Sequence, residues 1–160
     1  MTRIAVTGHM NITADSVPLI YSEIRRILAA AGDGASLVGI SCIARGADSV
    51  FAQAVLDAGG ALEVVVPSRN YREDKVKPGH LAQFDALIEA ATTVRVMDFE
   101  DAGRDAYEAA NAVLVGSSDR LIAVWDSQPS EQGGTGTVVD LAHGRGLPVA
   151  IVWPEGAARE

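Results

Sequence analysis

Short uninterrupted runs of apolar residues recur along the chain, and each run ends at a cluster of glycine, proline or polar residues. Runs of this length and composition predict buried β-strands. The predicted strands cover residues 4–6, 37–40, 62–66, 94–97, 121–125 and 148–152.

The segments between these runs carry apolar residues three and four positions apart, which is the spacing of one helix face. In the first segment Asp15 and Ser16 precede the apolar stripe as N-cap candidates, and Gly32 follows it as a stop. Helices are predicted over residues 17–28, 50–58, 80–91, 106–115 and 138–143. Residues 68–79 form the longest irregular segment. They are polar, so we expect a solvated loop, with a lid over the strand ends as the alternative.

Predicted strands and helices alternate through the whole chain, and the strands read as continuous apolar runs rather than alternating ones. This pattern indicates a parallel sheet that is covered on both faces. With right-handed crossovers it predicts an α/β, doubly wound, mainly parallel sheet of about six strands with helices on both faces. A chain of 160 residues suits one core. We therefore interpret residues 1–154 as a single domain and residues 155–160 as a C-terminal tail.

Charge and cysteine usage narrow the classes of partner. The formal net charge of −8 produces a field that does not attract duplex DNA or RNA, which argues against nucleic acid as the partner. A small anion can still bind where local N–H groups and arginines outweigh that field. Cys42 is the only cysteine, and His80 and His143 have no partners at metal-ligand spacing, so we expect neither a metal site nor a bound cofactor.

The N-terminus and the apolar runs bear on localisation. The run after Met1 is too short for the apolar region of a signal peptide. No apolar run approaches the roughly 20 residues of a membrane span. We expect a soluble, cytoplasmic protein that does not engage a membrane.

A glycine- and threonine-rich stretch separates the predicted strand 121–125 from the helix that follows. It contains Gly133, Gly134, Thr135, Gly136 and Thr137. Glycines let the backbone approach a ligand closely, and the first N–H groups of a helix together with its dipole favour an anion. We interpret the stretch as a phosphate-binding loop. The alternative is a plain strand-to-helix turn whose threonine is the N-cap.

A second polar cluster follows the predicted strand 37–40 and contains Ser41, Arg45, Gly46 and Asp48. Arg45 is suited to bidentate phosphate contact, and Asp48 to a ribose hydroxyl or to orienting the arginine. The alternative is an ordinary first helical turn in which the dipole favours Asp48.

Further polar residues follow other strands at the same predicted edge. Gly8 and His9 come after strand 4–6, with a loop-capping histidine as the alternative to a ligand contact. Asp126 ends strand 121–125 and belongs either to a solvated loop or to the site. Asp140, in the last helix, suits a sugar hydroxyl, a cationic transition state or the helix dipole. Cys42 fits a small buried hydrophobe better than a nucleophile.

These residues carry a resemblance to the SLOG superfamily, the Rossmann-like group that contains the LOG phosphoribohydrolases and the DNA-processing protein A family. Thr7-Gly8-His9 resembles its "TGHR" signature, with Met10 in place of the arginine. The stretch from Ser41 to Asp48 is similar to "SGxARGxD", and that from Gly133 to Asp140 resembles "GGxGTxxE" with aspartate at the acidic position.

The resemblance implies a Rossmann-like fold and a nucleotide or nucleotide-derived ligand whose phosphate lies at the glycine-threonine loop. LOG enzymes cleave the N-glycosidic bond of nucleoside 5′-monophosphates with the motif glutamate and an arginine on the preceding helix. Here the helix carries Asn111 but no arginine at the aligned position, with Arg104 just before it, and Gln132 stands where the motif has proline.

Two functions follow from these observations. The first is a nucleotide-binding sensor or carrier, with Asn111 and the residues above as ligand contacts and with no assigned catalytic residue. The alternative is a LOG-like phosphoribohydrolase that uses Asp140, with Arg45 or Arg104 holding the phosphate. A DNA-handling role is disfavoured by the charge. Related proteins often form dimers, so we expect a homodimer.

Overall fold

The computed structural model describes residues 1–129 and 134–160, so the predicted ligand residue Gly133 lies outside the described residues. The strands are β1 (Thr2–Gly8), β2 (Leu37–Ser41), β3 (Ala61–Val66), β4 (Thr93–Val96), β5 (Arg120–Val124) and β6 (Val149–Val152). The α-helices are α1 (Ser16–Ala31), α2 (Ala47–Asp57), α3 (Tyr71–Lys75), α4 (Pro78–Ala90), α5 (Arg104–Gly116) and α6 (Thr135–Gly144).

The six strands form one parallel sheet in the order β4-β3-β2-β1-β5-β6. Central β1 pairs with β2 and with β5. The strand order changes direction between β1 and β5, which makes the carboxyl ends of these two strands the switch point of the fold. The predicted doubly wound α/β architecture is confirmed.

Helices cover both faces of this sheet, as the continuous apolar strands predict. On one face α1 packs Ile20, Ile24 and Leu28 into a core shared with α2, and α4 extends this layer with Phe84. On the other face α5 and α6 enclose a second core. None of the helices in the described ranges has the length and apolar character that crossing a membrane requires.

The segment 68–79 differs from the prediction of an irregular polar loop, because it contains the short helix α3. Tyr71 is only 7% exposed and its ring lies 6.1 Å from that of Phe84 on α4. This contact is long-range in the sequence, so the local composition does not reveal it. It fixes α3 against the domain at the carboxyl end of β3.

The C-terminal residues also take a fixed place. The Thr13 N–H donates to the Ala158 carbonyl at 3.0 Å, and the Glu160 N–H donates to the Asn11 carbonyl at 2.7 Å. A single antiparallel bridge joins Ile12 to Arg159. The C-terminal segment therefore packs along the β1–α1 loop, beside the switch point.

Candidate functional site

A cavity of about 860 Å³ opens at the carboxyl ends of the central strands. Its walls come from the β1–α1 and β2–α2 loops, from α3, α5 and the start of α6, and from the C-terminal segment. Its volume lies in the range of small-molecule sites, and it occupies the switch point where ligands of such folds bind. A smaller cavity of about 440 Å³, lined by Gly32 and Leu37 among others, lies at the amino end of β2 and far from these features.

The cavity brings together some of the residues predicted from the sequence and leaves others outside its lining. The predicted residues that line it are Gly8, His9, Asp48, Asn111, Gly134 and Thr135. The described residues predicted for the site that do not line it are Ser41, Arg45, Gly46, Asp126, Gly136, Thr137 and Asp140.

Two of the predicted glycines serve close packing of the backbone. A Cβ at Gly46 would lie 2.6 Å from the Met10 carbonyl oxygen, and the backbone there has a φ of +83°. A Cβ at Gly8 would lie 2.5 Å from the Cβ of Ala47. Glycine is therefore required at both positions, because the β1–α1 loop and the start of α2 approach too closely for a side chain.

The β2–α2 loop is held by a buried polar network. Ile43 adopts a φ of +48°, which is strained for a β-branched residue, and its N–H donates to Ser41 Oγ at 3.0 Å. Ser49 Oγ donates to the Ala44 carbonyl at 2.7 Å, and His80 Nε2 lies 3.0 Å from the Ile43 carbonyl. The Ser41 side chain thus stabilises the loop conformation. Asp48, in the first turn of the α2 helix that follows, lines the cavity.

Arg45, which contacts the C-terminal residue, and Arg159, which lies in the C-terminal segment, differ in their relation to the cavity. Arg45 is exposed, and its Nη1 lies 3.3 Å from Glu160 Oε1. Arg159 lines the cavity, donates from Nε to Asn11 Oδ1 at 3.1 Å and places Nη1 3.5 Å from Asp126 Oδ2. Sequence analysis missed Arg159 because it lies in a segment interpreted as a tail.

His9 joins the ends of β1 and β5. The backbone N–H of His9 donates to the Val124 carbonyl at 3.1 Å, and the ring Nε2 accepts the backbone N–H of Asp126 at 3.3 Å. Burial, helped by the nearby Arg159 charge, lowers the pKa of His9. His9 Nε2 also lies 3.2 Å from Asp126 Oδ1, so it accepts the Asp126 N–H when it carries no proton and donates to the Asp126 carboxylate when it does. In either tautomer His9 is held in the cavity wall. Trp153 packs edge-on against it, with ring centroids 5.6 Å apart.

Asp126 lies just behind that wall. Burial alone would raise the pKa of its carboxyl, but the Gln128 N–H, His9 and Arg159 outweigh burial and lower the pKa. Asp126 is therefore ionised at neutral pH. It positions His9 and Arg159 and does not itself line the cavity.

The start of α6 forms one wall. Gly134 is the N-cap and has an extended backbone (φ −81°, ψ −172°), and Thr135 is 6% exposed. Both line the cavity, where the first N–H groups and the dipole of a helix favour an anion. Thr137 and Asp140 are both exposed on the helix, where their spacing puts them on one face, and neither lines the cavity.

The cavity wall formed by α2, α3 and α5 is polar, and its one described cation, Lys75, is paired with Asp74. Burial raises the pKa of Asp48 to about 7, against the effect of the Ala44 N–H, which favours the charged form. Burial also raises the pKa values of Cys42 and Tyr71, with Asp48 adding to both shifts. A thiol with a raised pKa is a poor nucleophile. The sequence predicts Cys42 to be a small buried hydrophobe, but it is only half-buried and lines the cavity.

Lysines outside the predicted set also line the cavity. Lys75 ends α3 and lies 3.7 Å from Asp74, and Lys77 precedes α4. Among the described residues Lys77 has no ion-pair partner. Within the same described ranges, no group of three or more His, Cys, Asp or Glu side chains is arranged to hold a metal ion.

No protein-family model matches this chain, and no curated protein matches it either. Solved structures do. DNA processing protein A from Streptococcus pneumoniae superposes with a TM-score of 0.69 at 16% identity, over 98% of this chain and 52% of that one. The chain thus spans about half the length of that protein.

Two further structures have the same fold. DNA processing protein A from Helicobacter pylori, described with a single-stranded DNA binding mode, gives a TM-score of 0.66 at 19% identity, over 99% of this chain and 68% of that one. The molybdenum cofactor carrier protein from Chlamydomonas reinhardtii gives 0.58 at 18% identity, over 94% and 75%. These neighbours are SLOG superfamily proteins, so the resemblance is confirmed at the level of the fold.

Proposed function

We propose that the cavity binds a nucleotide or a nucleotide-derived ligand, and that the protein acts as a sensor or carrier of it. The observation that carries the proposal is the meeting of Gly134, Thr135 and Arg159 at one cavity of the switch point. The ligand's phosphate binds at the start of α6, with Arg159 as its cationic partner.

The charges around the cavity support this assignment. The protein as a whole is acidic, with a formal net charge of −8, yet Arg159, Lys75 and Lys77 all line this cavity. A concave site concentrates the field of its own cations, so a local anion site is compatible with an acidic protein. The molybdenum cofactor carrier protein gives a precedent for a carrier with this fold.

The phosphoribohydrolase alternative loses support from the position of Asp140. The alternative requires a carboxylate that reaches the ribose, but Asp140 is exposed and does not line the cavity. Arg104, the possible substitute for the family's helix arginine, pairs with Glu108 at 3.0 Å on the surface. We therefore propose binding without efficient hydrolysis.

Substitution of Gly134 tests the phosphate site. Its extended backbone accepts any residue, and both aspartate and asparagine are good N-caps, so each variant should fold. Gly134→Asp adds a negative charge where the phosphate would lie, whereas Gly134→Asn adds nearly the same shape without charge. In calorimetry with ribose 5-phosphate, AMP and GMP, we expect the aspartate variant to lose binding and the asparagine variant to keep most of it. Equal affinities in both variants would contradict the site.

The remaining expectations for partners also stay proposals. A mobility assay with single-stranded DNA should show no salt-sensitive binding, and robust binding would favour a DNA-handling role instead.

Mass spectrometry of small molecules released from the denatured protein would identify the natural ligand. Analytical ultracentrifugation tests the expected homodimer, and limited proteolysis tests the single domain over residues 1–154.

A further inference from the structure

The polar wall of the cavity has groups that phosphate binding does not use. Asp48 on α2, Tyr71 on α3, and Tyr107 and Asn111 on α5 all line it. They come from three helices on both faces of the sheet, and the fold brings them together only at the cavity. This wall attracts an anion less than the start of α6 does, because Lys75 on α3 is paired with Asp74 and the other ionisable side chains named here are acidic.

The Tyr71 hydroxyl is the first observation that points to a ligand here. The residue is only 7% exposed and lines the cavity, yet no described residue forms a hydrogen bond with its hydroxyl. No buried side-chain N or O atom of the described residues lacks a hydrogen-bond partner, so the Tyr71 oxygen itself is accessible although the rest of the residue is buried. A hydroxyl held in this way offers a hydrogen bond to whatever occupies the cavity.

Asp48 supplies the second observation. Its carboxyl lines the same wall and makes no ion pair with any described residue. No cation in the described ranges contributes to its electrostatic environment, which consists of burial and the Ala44 N–H. A carboxylate without a counter-ion repels phosphate and attracts N–H donors, so the two ends of the cavity favour opposite chemistry.

We propose that Asp48, Tyr71, Tyr107 and Asn111 form a subsite for the heterocyclic ring of the ligand, and that Asp48 selects rings with two adjacent N–H donors, as on the edge of guanine. The inference rests on the proposed nucleotide-binding function and names the class of base. Tyr107, whose side chain is 39% exposed, offers an aromatic face to the ring, and Asn111 offers both a donor and an acceptor.

The selectivity has a simple physical basis. A carboxylate accepts two parallel N–H bonds from the ring nitrogen and the 2-amino group of guanine, and charge-assisted bonds of this kind are strong. Hypoxanthine has the same ring nitrogen and oxygen but lacks the 2-amino group, so one carboxylate oxygen is left unpaired. Sites built to hydrogen-bond a group strongly reject analogues that lack it.

The test compares three ligands by calorimetry at pH 8: ribose 5-phosphate, GMP and IMP. At this pH the Asp48 carboxyl is mostly ionised, while burial keeps Cys42, Tyr71 and Tyr107 protonated and His9 neutral. The variants are Asp48→Asn and Tyr71→Phe. The matched control is Asp98→Asn, because Asp98 is a fully exposed carboxylate outside the cavity.

We expect wild type and the Asp98 control to bind GMP at least tenfold more tightly than IMP. Asp48→Asn should bring that ratio close to one while leaving ribose 5-phosphate affinity unchanged. Tyr71→Phe should weaken both nucleotides and spare ribose 5-phosphate. Thermal melts check that each variant is folded.

The other outcomes separate this inference from the function on which it rests. Equal binding of GMP and IMP by wild type, or a GMP preference that survives Asp48→Asn, would overturn the inference and leave the phosphate site intact. Failure of all three ligands to bind would overturn the proposed nucleotide-binding function, and the inference with it.

Discussion

Two polar segments at the carboxyl edge of the sheet are both predicted from the sequence to bind the ligand, but they have different roles in the structure. The segment 41–48 spans the end of β2, the β2–α2 loop and the start of α2, and it mainly stabilises the backbone. Ser41 Oγ accepts the Ile43 N–H, Gly46 allows close approach to the Met10 carbonyl, and Arg45 is exposed. At the start of α6, Gly134 and Thr135 line the cavity. From the first segment, Asp48 is the predicted ligand residue that lines the cavity.

In the proposed function, the difference means that a polar loop at a strand end serves the ligand indirectly. The strained backbone of the β2–α2 loop is held by Ser49 and His80, and this rigidity places the Asp48 carboxyl without adding ligand contacts of its own. The start of α6, in the same proposal, contributes its backbone dipoles to the ligand directly. Substitutions in the β2–α2 loop should therefore lower the free energy of unfolding, whereas substitutions at the start of α6 should lower the affinity for the ligand.

The largest effect should come from Gly46→Ala. Gly46 and Gly59 both have a positive φ, +83° and +84°, but only at Gly46 would a Cβ meet backbone atoms within 3 Å. We expect Gly46→Ala to lower the free energy of unfolding by about 3 kcal/mol or more and the control Gly59→Ala by about 1 kcal/mol. Denaturant unfolding measures both. Equal losses would show that the close contact with Met10 is relieved by a small shift.

The next largest effect should be the contribution of Asp48 to the pH dependence of stability. The pKa of this carboxyl is about 7 in the folded protein against 3.8 as its ordinary value, so between these pH values the folded state retains a proton that the unfolded state has lost. Stability from this group therefore falls as pH rises through the window. Asp48→Asn does not titrate.

We expect the Asp48→Asn variant to match wild type near pH 4 and to exceed it by on the order of 1–3 kcal/mol at pH 8, a discounted value because the side chain is partly open to cavity water. Thermal unfolding across this range measures the difference. A constant offset between the two proteins at every pH would contradict a raised pKa at Asp48.

A smaller effect should distinguish the two arginines. Arg159→Ala should weaken ribose 5-phosphate binding by about 1.5 kcal/mol, roughly tenfold, because a charged hydrogen bond at the cavity is lost. Arg45→Ala should change the affinity less than about twofold, since an exposed ion pair contributes little. The ribose 5-phosphate affinity of Arg159→Lys, which keeps the charge, should lie between those of wild type and Arg159→Ala. A larger loss in Arg45→Ala would restore Arg45 as the phosphate anchor.

The smallest effect should be that of Asp140→Asn. Because Asp140 is exposed outside the cavity lining, we expect the variant to bind AMP like wild type, and both proteins to release adenine slowly or not at all. Chromatography of free base measures turnover. Robust release by wild type that disappears in the variant would establish the hydrolase alternative.

Strand and helix positions follow from local patterns, so they could be predicted closely. The run over residues 37–40 became β2 (Leu37–Ser41), and the stripe from Val17 to Leu28 lies within α1 (Ser16–Ala31). A parallel sheet follows because strands buried on both faces must be apolar throughout, and that property is visible in the sequence. The edge at which polar residues gather follows in turn from the parallel topology.

The direction of each loop side chain depended on contacts between distant parts of the chain. Arg45 is paired by Glu160 and Arg159 is held by Asn11, so docking of the C-terminal segment determines which arginine reaches the cavity. Tyr71 enters the cavity wall because its ring packs on Phe84. Local periodicity carries no information about such pairs, since their partners are brought together only when the sheet and its helices assemble.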